Sequence, residues 1–360
     1  MKLLYITNGI NGSGGLERVL SIKASYFAEH FGYEVTILSL NNAHLDPFYE
    51  FSSKIKLFSI DVKGSPLHYF KMYKGEIQRI VNDLNPDIIS VCDDGLKAFF
   101  LPSIIKSNAK WIYERHVSKL IEAKVGQSLA KKSITRLKWS IMEKLGKTFS
   151  SFVVLTEGNK KEWPSLKNIK VISNPLSFYP TESSKLDSKI VICVGKISYQ
   201  KGQDILVQAW EIVNQKFPDW QLCLYGKENI SVLDTDHLSH NIHHYQPVKE
   251  IEQKYLESSV YVMSSRFEGF GMVLIEAMAC GLPCISFDCD YGPSDIISDN
   301  KDGLLVENGN IDQLAQKIIQ LIDNKELRNN FGLQAKQNVK RYEMRMIASQ
   351  WKSLFKNLKS

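Results

Sequence analysis

Short apolar runs recur along the chain, separated by longer stretches in which apolar positions return every three or four residues. Runs at 2–7, 34–40, 55–60, 87–92, 110–114, 151–156 and 169–172 predict buried strands in the first half. Runs at 189–194, 220–225, 242–245, 260–263, 283–287 and 304–306 predict them in the second. The helical period predicts helices at 16–31, 203–216, 272–280, 312–323, 325–341 and 342–358. Strands alternating with helices imply an α/β fold with largely parallel sheets covered on both faces. In such sheets the loops at strand C-terminal ends carry the chemistry, which singles out 8–15, 93–95 and 115–118.

At 360 residues the chain exceeds one ordinary core. Residues 174–188 are rich in Pro, Ser and Thr without periodicity and make the best linker. We therefore expect domains at 1–175 and 176–340, with a C-terminal helix at 341–360 packing back on the first. No apolar stretch is long enough to span a bilayer, and the opening run is too short for a signal peptide, so a cytoplasmic protein is expected. The six cysteines mostly sit in strand-like runs, which suits reduced, buried thiols. Cys280, Cys284 and Cys289 lack a fourth ligand at zinc spacing, and no metal is expected.

Charge divides the halves. Residues 1–180 hold 25 Lys and Arg against 16 Asp and Glu, a balance of +9, whereas 181–360 hold 20 against 23, or −3. No aromatic-basic interleaving or recognition helix accompanies the basic half, which argues against nucleic acid and for an anionic membrane surface or a phosphate-bearing acceptor. Residues 119–147 concentrate the excess, with eight bases against two acids and apolar residues at helical intervals. Such a segment lies on anionic lipid or guides a lipid-linked substrate; a solvated helix packing by its apolar stripe has the same spacing.

Candidate chemistry gathers at 264–295. Between Gly269 and Phe287 almost every side chain is apolar or small, and Glu276 interrupts the predicted helix. A buried carboxylate is costly without a partner, and no cation lies near in sequence, so a ligand hydroxyl would serve; the plainer reading is a buried helix with one stray Glu. Eight residues earlier, Glu268 precedes Gly269 and Gly271, where the chain turns into the helix. Helix N-terminal amides there would attract phosphate. Carboxylate, anion nest and carboxylate in that order suit a sugar attached to a diphosphate attached to a ribose. Lys196 and Lys201 flank the turn after strand 189–194 and suit the same diphosphate. The glycine loop after strand 2–7 does not fit the dinucleotide pattern G-x-G-x-x-G, because Glu17 stands three residues after Gly14.

These residues resemble those of the retaining glycosyltransferases of family 4. Glu268 and Glu276 match the E-x7-E signature, and Glu-Gly-Phe-Gly at 268–271 and Gly-Pro-Ser-Asp at 292–295 match its surroundings. Gly14-Gly15-Leu16-Glu17-Arg18 resembles the G-G-x-E-R loop beside the donor phosphates and acceptor. Residues 195–202 resemble G-R-x4-K-G, with Lys196 in place of Arg, which keeps the charge but not the bidentate geometry.

The resemblance implies the GT-B fold: two Rossmann-like domains whose parallel sheets face across a cleft, acceptor in the first and nucleotide sugar in the second. It implies donor binding by Gly15, Lys196, Lys201, Val248, Gly269, Phe270, Gly271, Met272 and Glu276, acceptor binding by Gly14, Arg18 and Arg115, and catalysis by Glu268, Lys201 and His116. Whether Arg115 or His116 reaches the sugar stays open, and a surface histidine without a role fits the residues equally. The implied reaction moves a hexose, with retention, from a nucleotide diphosphate donor, a UDP-linked hexose or N-acetylhexosamine, to a saccharide acceptor, lipid-linked in surface polysaccharide assembly, with no cofactor. A metal-dependent transferase would use Asp288-Cys289-Asp290, which follows a buried strand where the lysines already supply cations. A nucleotide-sugar epimerase or a non-catalytic nucleotide-binding scaffold of the same fold are the other readings.

Overall fold

The computed structural model describes residues 1–42, 45–122, 128–229 and 231–359. Among the described residues, thirteen strands form where the apolar runs predict them. Seven of them, β1 (Lys2–Thr7), β2 (Glu34–Leu40), β3 (Lys56–Ile60), β4 (Ile88–Cys92), β5 (Lys110–Glu114), β6 (Ser151–Val154) and β7 (Ile169–Val171), pair in parallel in the order β3-β2-β1-β4-β5-β6-β7. The other six, β8 (Ile190–Val194), β9 (Gln221–Tyr225), β10 (Ile242–Tyr245), β11 (Val260–Met263), β12 (Cys284–Phe287) and β13 (Gly303–Val306), pair in parallel in the order β10-β9-β8-β11-β12-β13. Central strands such as β4 and β12 are buried along their whole length, which is why their sequences read as continuous apolar runs rather than alternating ones.

Both sheets reverse direction once. Strand order runs outward in opposite senses from the β1/β4 neighbours in one sheet and from β8/β11 in the other. Loops leaving the C-terminal ends of such neighbours diverge and open a crevice. Asn8 and Asp93 emerge at the first reversal, and Lys196 and Ser264 at the second.

The chain divides into one unit of 1–177 with 344–360 and another of 178–343. Helix Lys325–Asn338 ends three residues before the sequence expectation and passes into the tight turn Val339–Tyr342. Burial of Val339 and Tyr342, and donation from the Arg341 guanidinium to the carbonyls of Asp295 and Ile296, hold that turn in the second unit. Extended Glu343 then leads into helix Met344–Lys359, which packs on helix Gly15–His30 of the first unit, with the Phe27 and Phe355 rings 5.6 Å apart. The basic segment is also shorter than 119–147: a tight turn covers Lys119–Glu122, residues 123–127 lie outside the described ones, and the helix is Leu129–Gly146. Ser128 opens that helix by accepting the Lys131 N–H.

Helix Gly15–His30 buries Val19, Leu20, Ala24 and Phe27, and Lys23 falls inside the same stripe at 1% exposure. Its ammonium pairs with Glu114 at the end of β5 and lies 4.3 Å from the centre of the Trp351 ring. Burial alone would raise the Glu114 carboxyl; the Lys23 charge and hydrogen bonds from His116 and Lys23 outweigh it and leave the group at about 2. A carboxyl held below its unfolded value stabilises the fold above that value, and the contribution fades as pH falls toward 2. Removing one partner of a buried pair costs about 3–5 kcal/mol, because the other charge is stranded. We expect Lys23→Met to lower the thermal midpoint at neutral pH steeply, and Lys23→Met with Glu114→Gln to recover most of the loss. Additive losses in the double variant would show that the two residues do not act as a pair.

Candidate functional site

In the second unit, the site is built by the loops after β8 and β11, which the strand reversal places side by side. Lys201 Nζ donates to Glu268 Oε1 at 2.6 Å, and Ser265 Oγ donates to the same oxygen at 2.6 Å. Glu268 is 5% exposed, so its charge is offset by these donors rather than by bulk water. Gly202 opens the helix after Lys201 with φ of 65°, and a Cβ there would lie 2.1 Å from the Ser264 carbonyl oxygen. Only glycine permits both that backbone and that approach. Arg266 ties the loops further, forking onto Asp204 at 2.9 and 2.6 Å, donating to the Tyr199 carbonyl at 2.7 Å and covering the Tyr199 ring.

After Glu268 the chain turns at Gly271, whose φ of 106° starts helix Met272–Ala279. Gly269, Phe270, Gly271 and Met272 thus form the entry to a helix whose N-terminus carries the positive end of its dipole. Phe270 is buried, edge-on to Tyr342 at 5.4 Å. Glu276, 1% exposed, lies one turn inside the helix. Lys196 is exposed at the end of β8. Val248, 41% exposed, sits on the loop after β10, on the far side of β9 from that end. Tyr225 and Tyr245 close the C-terminal ends of β9 and β10 as a stacked pair with centroids 4.8 Å apart.

In the first unit, the ends of β1, β4 and β5 gather a second polar set. Asn8 Nδ2 donates to Asp93 Oδ1 at 2.7 Å, and the Gly95 N–H donates to the same oxygen at 2.7 Å. Arg115 is buried; it donates to Asp94 Oδ1 at 3.1 Å and lies 5.2 and 5.9 Å from the Trp139 and Trp163 ring centres. Burial pushes the Asp94 carboxyl up despite that cation. His116 is no surface residue: its side chain is 7% exposed, with Nε2 3.3 Å from Glu114 Oε2. Gly14 and Gly15 begin helix Gly15–His30, and the Glu17 carboxylate folds back so closely that a Cβ on Gly14 would meet it at 2.6 Å. The Arg18 guanidinium covers the Tyr49 ring at 5.2 Å, and the Tyr49 hydroxyl donates to the Ser13 carbonyl.

Sequence reasoning missed Lys23, Glu114, Ser265, Asp204 and Arg266 as members of these clusters. A lysine inside an apolar helical stripe was a usable signal for the first. Residues two apart at the end of a buried strand, Glu114 and His116, share one face and were a signal for the second.

Among the described residues one group has metal-like spacing, Cys92, Glu114 and His116, with ligand atoms within 4.8 Å of one another. The residues suit a metal poorly. The Lys23 ammonium already occupies the Glu114 carboxylate, and burial holds the Cys92 thiol far above the range in which it would ionise. Asp288 and Asp290 are both exposed, and Asp290 meets Glu268 through its backbone carbonyl. Cys280, Cys284 and Cys289 are buried free thiols.

A model of group 1 glycosyl transferases matches residues 179–338, and a glycosyl transferase 4-like model matches 14–144. The sequence is 32% identical over 371 residues to the amylovoran biosynthesis glycosyltransferase AmsD of Erwinia amylovora, covering 98% of this chain and 99% of that one. It is 33% identical over 213 residues to the poly(ribitol-phosphate) alpha-N-acetylglucosaminyltransferase of Staphylococcus aureus, covering 56% of this chain and 43% of that one. Among solved structures, Anabaena HepE in complex with UDP superposes with a TM-score of 0.80 at 17% identity, over 99% of this chain and 100% of that one. Staphylococcus aureus TarM, in complex with fondaparinux, alpha-GlcNAc-glycerol and UDP, gives 0.79 at 17% identity, over 98% and 99%. These likenesses show two Rossmann-like, parallel-sheet domains of the GT-B kind. Aligned over its whole length with a named glycosyltransferase at this identity, the chain belongs to the group 1 glycosyltransferases.

Proposed function

We propose that the protein is a retaining hexosyltransferase that takes a sugar from a nucleotide diphosphate donor, UDP-linked hexose or N-acetylhexosamine, and adds it to a lipid-linked saccharide in surface polysaccharide assembly. The observation that carries this reading is the contact of Lys201 with Glu268 at the entry to helix Met272–Ala279. A cation, a carboxylate and a helix N-terminus at one strand reversal match what a sugar diphosphate requires. UDP in the structures of HepE and TarM, and amylovoran biosynthesis in the name of AmsD, support the same direction.

In this reading Lys196, Lys201 and the amides from Gly269 to Met272 receive the diphosphate, Glu276 the ribose, and the loop at Val248 the base. Departure of the diphosphate dominates the barrier, and cations fixed in place stabilise its growing charge more in the transition state than in the ground state. Glu268 meets the transferring sugar while steadying Lys201. Gly15 serves the donor, His116 serves catalysis, and Gly14, Arg18 and Arg115 serve the acceptor, although Arg115 acts through Asp94 and the indoles that enclose it. No divalent metal is required, since lysines and helix amides supply the positive charge.

Calorimetric titration tests the donor half. A charge-assisted contact is worth about 1.5–3 kcal/mol, so Lys196→Ala should weaken UDP at least tenfold and leave uridine unchanged. Glu276→Gln should weaken both ligands, and Glu268→Gln should depress turnover more than affinity. Titrations in EDTA and in magnesium should agree. Equal losses for UDP and uridine in Lys196→Ala, or UDP binding that needs magnesium, would overturn the assignment.

The acceptor half rests on helix Leu129–Gly146. No helix among the described residues is long and apolar enough to cross a membrane. This one leaves Ile134 68% and Leu137 62% exposed beside Lys131, Lys132, Arg136 and Lys138. An apolar ridge between cations suits shallow insertion among anionic headgroups, and the attraction weakens as salt rises. We expect sedimentation with phosphatidylglycerol vesicles at low salt, lost when those four bases become Gln while UDP binding persists. Wild-type protein that stays in the supernatant would reduce the helix to a solvated one and favour a soluble acceptor.

A further inference from the structure

His116 is the candidate site residue whose environment is most completely defined, and that environment sets its chemistry. Glu114 Oε1 accepts the Ser90 hydroxyl at 2.6 Å, Oε2 accepts the Lys23 ammonium, and His116 Nε2 stands 3.3 Å from Oε2. Lys23 has no acceptor capacity, and Trp351 from the C-terminal helix covers it. The carboxylate between these donors is acceptor only, so a nitrogen facing it must bring the proton. The other nitrogen, Nδ1, is buried and makes no hydrogen bond to the described residues. Buried polar atoms are nearly always partnered, and one left open on a candidate site residue marks where a ligand atom belongs.

We propose that Glu114 is the positioning residue of His116: it receives Nε2–H, fixes that tautomer, and leaves Nδ1 as a lone-pair acceptor for a hydroxyl of the saccharide. The assignment rests on the reading of the first unit as the saccharide-facing one. Its chemistry is selective, because a lone pair accepts from a hydroxyl and repels phosphate or carbonyl oxygen. Lys23 and Trp351 act one step further back. They hold the carboxylate ionised and in place, which explains a lysine inside an otherwise apolar helical stripe. The titratable groups that face this imidazole and its carboxylate are Lys23, Tyr5, Asp94 and the Cys92 thiol.

The test needs neither donor nor acceptor. Full-length protein labelled with ¹⁵N-histidine is observed at about pH 8, above the ordinary imidazole range near 6.5. Loss of one signal set in His116→Asn assigns the residue. The expected spectrum shows His116 protonated at Nε2 and bare at Nδ1. In the paired variant Lys23→Met with Glu114→Leu, which removes the acceptor without stranding a charge, the signal should become a mixture of both tautomers. A proton on Nδ1 in the wild-type protein, or an unchanged Nε2–H form in the folded paired variant, would overturn the proposal. Should the paired variant not fold, the wild-type tautomer alone decides. Failure here leaves the glycosyl-transfer reading standing, and failure of UDP binding leaves the tautomer result standing.

Discussion

The contact between Lys201 and Glu268 joins side chains 67 residues apart, and it exists only because β8 and β11 are neighbours where the strand order of the second sheet turns back on itself. That constraint determines much else. The two loops must approach so closely that Gly202 has no room for a Cβ, and Arg266 must clamp Asp204 and the Tyr199 carbonyl to hold them there. A low-exposure carboxylate then needs a compensating cation, which Lys201 provides. The result is a charged constellation formed before any ligand arrives, and preorganised charge is what stabilisation of a departing diphosphate demands.

The first unit solves a related problem differently. Its buried charges are matched in a chain that runs from Lys23 through Glu114 to His116, and in a second set where Asp94 faces Arg115 between two indoles. Desolvating so many ionised groups is expensive, and hydrophobic residues of similar volume would serve stability at least as well. Retaining them at strand C-terminal ends makes sense where the groups act on something. The C-terminal helix is part of this arrangement rather than an appendage, because Trp351 covers the lysine on which the chain depends.

Much of this was legible in the sequence. Parallel strands buried on both faces leave continuous apolar runs, so all thirteen strands could be located, and the Pro- and Ser-rich stretch at 174–188 brackets the division at Ser177 and Phe178. Glu268, Gly271 and Lys201 stood out because they mark the turns that open helices after such runs. What the sequence hid were partnerships. Nothing local links Lys201 to Glu268, or Lys23 to Glu114, since each pair is made by the fold and not by spacing. The basic stretch at 119–147 likewise read as one amphipathic segment, whereas its helix begins only at Leu129, after the Ser128 cap. Helix 325–341 overran for a similar reason: periodicity continues past Asn338, but burial of Val339 and Tyr342 tightens the turn.

The central claim is that the second unit holds the nucleotide at the β8/β11 reversal. Hydrogen–deuterium exchange of the full chain, with and without saturating UDP, addresses it without any assumption about sugar or acceptor. Protection is expected in peptides spanning 195–203 and 264–276, the two loops and the helix that carries Glu276. Protection confined to the first unit, or absent from both loops while UDP is bound, would contradict it.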